Sequence, residues 1–401
     1  MTTTIRAGAP QDFLALVPVL AGYRPARSLV CVAFEGNRTS AVLRHDLPDS
    51  AHVDAVVASV MGTLCRIPSV DGIVPIAYCE EPFDGEGLPR ADVLECVVQG
   101  AERAGFAVRD ALTVAPNGWG SLFDDGLPAG GRALGLIEES SAITASSTKA
   151  SGLAASLVES AADLVRIPDA DRALAAHIRE VLDGLSERAR AHADHMADRV
   201  ERALGDAADP IVLVERIAAA RVDGTAEELA WLLELAEQPA VRDAIMLQSA
   251  FGPAIGELSL DAADVERDHG TTLGLDEPHG SERRPGPDEG ESVDGYLARL
   301  MLGRSSIRPD ADRVQSILGF VTIAIGNAPT GRRTGALCIA AWLSWALGRG
   351  SAAGALIDLA ISETPDHTMA GLLRRFLALG ELPEWAFSRP LAGPGRSEPA
   401  A

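Results

Sequence analysis

Three stretches carry residue types that do chemistry when spaced as they are here. Ser146-Ser147-Thr148-Lys149 has the S-x-x-K spacing, which on a helix sets a hydroxyl beside an amine, as in penicillin-recognising acyl enzymes. Those enzymes need a second lysine on a K-T-G strand, and Lys149 is the only lysine in the chain, so a Ser/Thr-rich linker between domains accounts for the stretch better. Gly326 to Thr334 approximates a phosphate-binding loop after an apolar run. Arg332 stands where the loop's lysine belongs, and a planar guanidinium does not replace an ammonium there. The run before it also has the pattern of a helix rather than a strand, so a helix–helix connection capped by Thr334 is the better account. His192 and His195 lie i, i+3 beside Asp194 and Asp198, a geometry able to hold a divalent cation. His192 also falls on an apolar stripe between Ala189 and Met196, where a core or interface histidine fits better, and no metal site is expected. The five cysteines, Cys31, Cys65, Cys79, Cys96 and Cys338, form no C-x-x-C pair and sit in apolar contexts. They read as small buried hydrophobes, which argues against zinc, iron–sulfur or a disulfide framework.

A fourth group emerges only from the elements that would position it. Gln11–Ala21 is helical; Ser28–Phe34 is a β-prone apolar run; Glu35 to Arg38 has turn chemistry; Thr39–Arg44 is a second strand. Ala51–Ile67 is a helix, Gly72–Cys79 a strand that Pro75 assigns to an edge or bulge, Ala91–Ala104 a helix, and Phe106–Ala115 a strand closed by Pro116-Asn117-Gly118. The order α-β-β-α-β-α-β implies a mixed α/β sheet with right-handed parallel crossovers. In an antiparallel hairpin the start of the first strand lies beside the end of the second. Arg24, Arg27 and Ser28 then meet Arg44, His45 and Asp46. Parallel crossovers bring Glu80, Glu81, Asn117 and Trp119 to the same edge, where open α/β sheets bind ligands. Arginines flanking Asp46 could clamp an anionic group with Trp119 as a stacking wall. Equally, the same residues could simply lock loops together.

From Ser151 the pattern is helical: Arg172–Leu204, Ile211–Ala220, Glu227–Ala236 and Val241–Ser249, then Val293–Leu302, Asp312–Ile325, Ala336–Leu347, Ser351–Ile361 and Thr368–Leu379. Between them Asp261–Ser292, rich in Asp, Glu, Gly and Pro, reads as an acidic disordered insert. The expected organisation is an α/β domain over 1–150, a helical region over 151–260, the insert over 261–292, a C-terminal bundle over 293–390 and a disordered tail over 391–401. Ala341, Ala353, Ala360 and Pro365 sit where a tetratricopeptide unit places its small residues and terminal proline. The signature tryptophan and Leu-Gly positions are missing, so an Ala-packed bundle is the simpler architecture.

With 57 acidic against 35 basic residues the formal net charge is −22, which opposes phosphate backbones and makes nucleic acid an unlikely partner. Only 294–401 escapes the acid excess. The longest apolar stretches, Ile317–Ile325 and Ala336–Leu347, fall short of the ~20 residues needed to span a bilayer, and Met1–Pro10 has no secretory pattern, so a cytoplasmic protein without a membrane role is expected.

Gly22-Tyr23-Arg24-Pro25-Ala26-Arg27-Ser28-Leu29-Val30, Arg44-His45-Asp46-Leu47-Pro48 and Asn117-Gly118-Trp119-Gly120-Ser121 together resemble the actinobacterial domain of unknown function 4192 family, and Gly335–Trp385 looks like that family's end. Members often have Phe at the position of Tyr23 and Tyr near Leu122. The resemblance implies the architecture and carries no activity or cofactor. Two functions are therefore open: an interaction or regulatory module with a protein partner at its helical half, which the lack of a complete catalytic set places first; or an enzyme or small anionic-ligand-binding protein using the sheet edge. The acidic insert could be an inert solvated segment or a partner-binding tail.

Overall fold

The run from Ser28 to Phe34 contains no charged residue, so a strand made of it must be covered on both faces. The structure, a computed structural model, places it second in a six-stranded sheet. Residues 8–140, 158, 163, 165–189, 202–220, 224–272, 292–378 and 380–388 are described. The chain divides into two compact units, 1–164 and 165–401.

The first unit runs α1 (Pro10–Ala21), β1 (Ser28–Glu35), β2 (Arg38–Asp46), α2 (Val53–Arg66), β3 (Gly72–Tyr78), α3 (Ala91–Ala104), β4 (Ala107–Val108), β5 (Leu112–Ala115), β6 (Gly118–Ser121) and α4 (Gly135–Glu138). The sheet order is β2-β1-β3-β5-β6, with β4 also on β3. Strand β1 is antiparallel to both neighbours, β3 is parallel to β4 and β5, and β5 and β6 form a hairpin. Val30, Val32, Val74, Ile76, Tyr78, Leu112 and Trp119 form one face of the sheet and pack with Leu14 and Val17 of α1. The opposite face buries Ala77 and Ala111 against Leu94 and Val98 of α3.

Three details differ from the sequence expectation. Pro75 lies in a central strand, opposite Cys31 of β1. The ladder tolerates it because the odd residues of β3 face β4 and β5, as the bonds from Ala107 N–H to Asp71 and from Arg109 N–H to Ile73 show, and residues 109–111 between those two strands belong to neither. The missing N–H therefore falls in a gap. The run Phe106–Ala115 is two short strands, parted where Asp110 accepts from Ser121 Oγ at 2.5 Å. Gly118, expected to end the closing turn Pro116-Asn117-Gly118, instead begins a further strand, β6. Gly118 is required there: a Cβ would meet the Gly130 carbonyl at 2.7 Å, where the 130–132 chain bridges to Trp119.

The second unit contains α5 (Arg172–Ala189), a 3-10 turn (Gly205–Ala208), α6 (Pro210–Ala220), α7 (Ala226–Ala236), α8 (Pro239–Phe251), α9 (Pro253–Thr272), α10 (Val293–Met301), α11 (Ala311–Asn327), α12 (Thr334–Ala346), α13 (Gly350–Glu363), α14 (Thr368–Ala378) and a 3-10 turn (Glu384–Ala386). Every residue of α12 is buried, and α7, α8, α11, α13 and α14 surround it. Ala341, Ala353 and Ala360 are fully buried where α12 meets α13, so the small-residue spacing serves a closed bundle. Gly335 lets α12 touch the end of α7: a Cβ would lie 2.2 Å from the Ala236 carbonyl oxygen. Helix α9 continues to Thr272, past the expected start of the irregular segment at 261; residues 273–291 lie outside the described residues. The expected helix from Arg172 is seen to Ala189, and 190–201 lie outside as well.

Two side chains make this bundle testable. Trp385 is 3% exposed, stacks edge-on against Trp345 at 5.6 Å and Phe251 at 5.8 Å, and donates Nε1–H to the Ala346 carbonyl. Trp385→Ala is expected to cost about 3–5 kcal/mol of unfolding free energy, read by denaturant titration. His367 precedes α14 and accepts the Ala370 N–H through Nδ1 at 3.3 Å, a bond only the neutral ring can make. Burial, helped by Arg242 and opposed by Glu237, holds its pKa below the usual 6.5. His45, on β2, is lowered in the same direction by burial and then by Arg44. Unfolded histidines bind protons before these folded ones do. Stability is therefore full above pH 6.5 and is lost as the pH falls from there through the folded values. His367→Asn, a cap that does not titrate, should flatten part of that loss in urea midpoints measured between about pH 5 and 8.

Candidate functional site

Strands β2, β3 and β5 run one way, and β1 and β6 the other. Asp46, Tyr78 and Ala115 therefore end, and Ser28 and Gly118 begin, at the same sheet edge. Ser28 is paired with Asp46 on one side and Tyr78 on the other. Because side chains alternate, Arg44, Asp46, Ser28 and Tyr78 share the face that α1 covers.

Ser28 is fully buried and its hydroxyl is used twice: it donates to the Ala26 carbonyl at 2.7 Å and accepts Arg44 Nε–H at 2.9 Å. The other end of that guanidinium, Nη2, lies 2.5 Å from Asp46 Oδ1. The Arg44 side chain is 26% exposed and the Asp46 side chain 86%. The pair is thus a guanidinium held from behind by a buried hydroxyl and carrying a carboxylate at its solvent end. Arg27 has a left-handed backbone, φ 45°, and its Nε lies 3.8 Å from Glu80 with both side chains 74% exposed, an arrangement worth little. Its carbonyl accepts the Leu47 N–H at 3.0 Å, which ties the entrance of β1 to the exit of β2. Arg24 is exposed, and its backbone N–H donates to the Val158 carbonyl at 3.1 Å.

Two of the expected residues reach this edge in another role. Asn117 clamps Phe83 from both sides, accepting its N–H at 2.8 Å and donating to its carbonyl at 2.9 Å. Trp119 is 2% exposed, donates Nε1–H to the Ala133 carbonyl at 3.2 Å and packs in the core with Leu14 and Tyr78. Its ring is buried, with the Arg132 guanidinium 6.0 Å from its centroid, so it offers no wall to a ligand. It holds the chain around residue 132 against β6, where Arg132 is fixed by two bonds to Asp124.

Tyr78 is the residue the sequence reading missed. It is 9% exposed, and its hydroxyl is buried with no hydrogen-bond partner among the described residues. Burial raises its pKa, as does the neighbouring Tyr23 phenol, so the group is a neutral donor at any physiological pH. Register alone could have found it: Val74, Ile76 and Tyr78 alternate onto the face that carries Ser28.

The other chemical candidates resolve differently. In the loop before α12, Arg333 makes Nε and Nη2 bonds to the Glu363 carboxylate, which also accepts the Gly331 N–H, and Arg332 pairs with Glu234 at 3.0 Å. Burial pushes the Glu363 carboxyl up, but the bonds from Arg333 and Gly331 outweigh it and leave the pKa below its usual value. Those arginines and that amide are spent on the protein's own carboxylates, so the loop is a helix–helix connection. Ser146, Lys149, His192 and His195 lie outside the described residues. Among the described residues no group of three or more His, Cys, Asp or Glu is placed to hold a metal ion. Burial pushes the Cys31 and Cys338 thiols up to about 12, and Cys79, buried and beside Glu81, to about 11, so none is an activated nucleophile. Cys65, contrary to expectation, is exposed on α2, and Cys96 is half-buried.

A mixed sheet layered with helices, followed by a bundle wrapped around one buried helix, defines an α/β-plus-all-α chain of two units. The chain belongs to the domain of unknown function family DUF4192, whose model matches residues 10–257 and 299–384. No curated protein and no solved structure matches it. No helix among the described residues is long and apolar enough to cross a membrane.

The lock at Asn117 is separable from the edge itself. Asn117→Ala leaves the Phe83 N–H and carbonyl without their partners and should lower unfolding free energy by about 1–3 kcal/mol in a urea titration.

Proposed function

We propose that the α/β unit is a binding module for a small anionic ligand, seated at the sheet edge formed by Ser28, Arg44, Asp46 and Tyr78 and flanked by Arg24 and Arg27. The observation that carries this reading is the Tyr78 hydroxyl. An unsatisfied buried hydroxyl costs roughly 1–3 kcal/mol, and phenylalanine would fill the same space without that cost. A donor kept at such expense, two strands from a guanidinium on the same face of the sheet, supports a ligand oxygen as its partner. The position agrees with the general rule that open α/β sheets bind outside the carboxyl ends of their strands. The opposed reading, a protein-docking role for the helical half, has less support. That unit turns its apolar residues inward around α12, and its exposed large apolar side chains, such as Val265, Ile307 and Leu372, fall on separate elements.

Native mass spectrometry of the purified full chain, with and without Tyr78→Phe, tests the reading. The wild type should retain a small molecule that the variant does not. The ligand-free variant should be at least as stable as wild type, by up to about 1–3 kcal/mol more. A variant clearly less stable than ligand-free wild type would mean that the hydroxyl serves the fold, and the reading would fail.

A further inference from the structure

We infer that Asp46 is a built-in competitor for the ligand: its carboxylate occupies the seat on Arg44 that an incoming oxyanion takes, and binding requires its displacement. This rests on the binding reading above and narrows the ligand to a compact oxyanion of the carboxylate, phosphate or sulfate kind.

The geometry of the pair carries the inference. Arg44 is anchored from behind by Ser28, a residue with no exposed surface, through Nε at 2.9 Å. The guanidinium plane is thereby fixed, and Nη2 is directed at Asp46 Oδ1 at 2.5 Å. Ordering an arginine this way costs side-chain entropy that an ordinary surface ion pair does not recover. Asp46, by contrast, is the last residue of β2, its side chain is 86% exposed, and it can swing into water without uncovering any core. One partner is fixed and the other is loose. That asymmetry is what an exchangeable anion seat requires, because an incoming oxyanion meets a pre-oriented fork and removes only a solvated carboxylate.

A second observation, independent of the pair, points to a ligand on the same face of the sheet. Tyr78 is the register partner of Ser28 on the same face, and its unpartnered hydroxyl, on a side chain more than nine-tenths buried, is a donor. A carboxylate, phosphate or sulfate has more than one acceptor oxygen, so it can take Arg44 with one and the phenol with another. Asp46 satisfies the guanidinium and leaves the phenol unpaired. The exchange therefore gains a hydrogen bond that the free protein lacks.

The test is isothermal titration of the full chain with inorganic phosphate and, in parallel, sodium sulfate, for wild type, Asp46→Asn, Asp46→Ala, Arg44→Gln and Tyr78→Phe. Near-UV circular dichroism confirms that each variant is folded. Removing the competing charge should tighten binding in both Asp46 variants roughly tenfold, the difference between a charge-assisted and a neutral hydrogen bond. Arg44→Gln should abolish binding, and Tyr78→Phe should weaken it about as much as the Asp46 variants strengthen it. If the Asp46 variants bind no tighter than wild type while Arg44→Gln still abolishes binding, displacement is wrong and the binding site itself stands. If Arg44→Gln and Tyr78→Phe leave the titration unchanged, or no form of the protein takes either anion, the anion-binding reading falls with it.

Discussion

The register of β1 between two antiparallel neighbours is the constraint on which the rest of the first unit depends. Ser28 to Ala33 are buried on both faces, so the strand cannot slip by one residue without turning Val30 and Val32 away from Leu14 and Val17. Fixing that register fixes three neighbours at once. Ser28 must face Asp46 across one gap and Tyr78 across the other, and Arg44, two residues before Asp46, must lie over the Ser28 hydroxyl. The polar group at the edge is thus placed by apolar packing in the middle of the sheet. This is the economical way to hold a partly exposed guanidinium and a buried phenol in fixed positions on one face of the sheet.

The second unit solves a different problem with the same means. Helix α12 is apolar all round and has to be enclosed, and five helices do so. Carboxylates then tie elements of the bundle together: Glu363 to Arg333, Glu237 to the Gly335 N–H, and Glu215 of α6 to Arg313 of α11. Burial raises the Glu215 carboxyl, but the bonds from Arg313 and Gln248 more than reverse it. A strongly acidic chain with few cations spends many of them in this way, which is why the arginine-rich loop before α12 is an internal fastener and presents no open phosphate cradle.

Much of the fold could be read from periodicity, and the residues that misled have identifiable reasons. The hairpin, the helices flanking it and the switch to an all-helical pattern follow from apolar spacing that tertiary contacts reinforce. Pro75 argued for an edge because a proline removes a ladder donor, but the interruption at residues 109–111 leaves nothing there to accept. The four residues of β6 include two glycines and carry no strand signal of their own, because the pairing that makes them a strand comes from β5 and from a loop over ten residues away. Helix α9, for which the sequence reading assigns no element, runs from Pro253 to Thr272 and so enters the stretch whose acidic composition predicts an irregular segment from Asp261. Of the candidate edge, Arg24, Arg27, Ser28, Arg44 and Asp46 could be gathered from hairpin geometry alone. Trp119 and Asn117 come to the same edge as fasteners, since an indole or a carboxamide next to a turn has no sequence mark that separates stacking from packing. Tyr78 went unnoticed because, within an apolar strand, a tyrosine reads as bulk; only the two-sided register exposes its hydroxyl as a group with nothing to bond.

A crystal structure of the full chain grown with phosphate examines the edge most directly. The account predicts an oxyanion within hydrogen-bond distance of both Tyr78 Oη and the Arg44 guanidinium, with the Asp46 carboxylate turned out into solvent. Tyr78 Oη bonded to a group of the protein itself, with Asp46 still seated on Arg44, would contradict it.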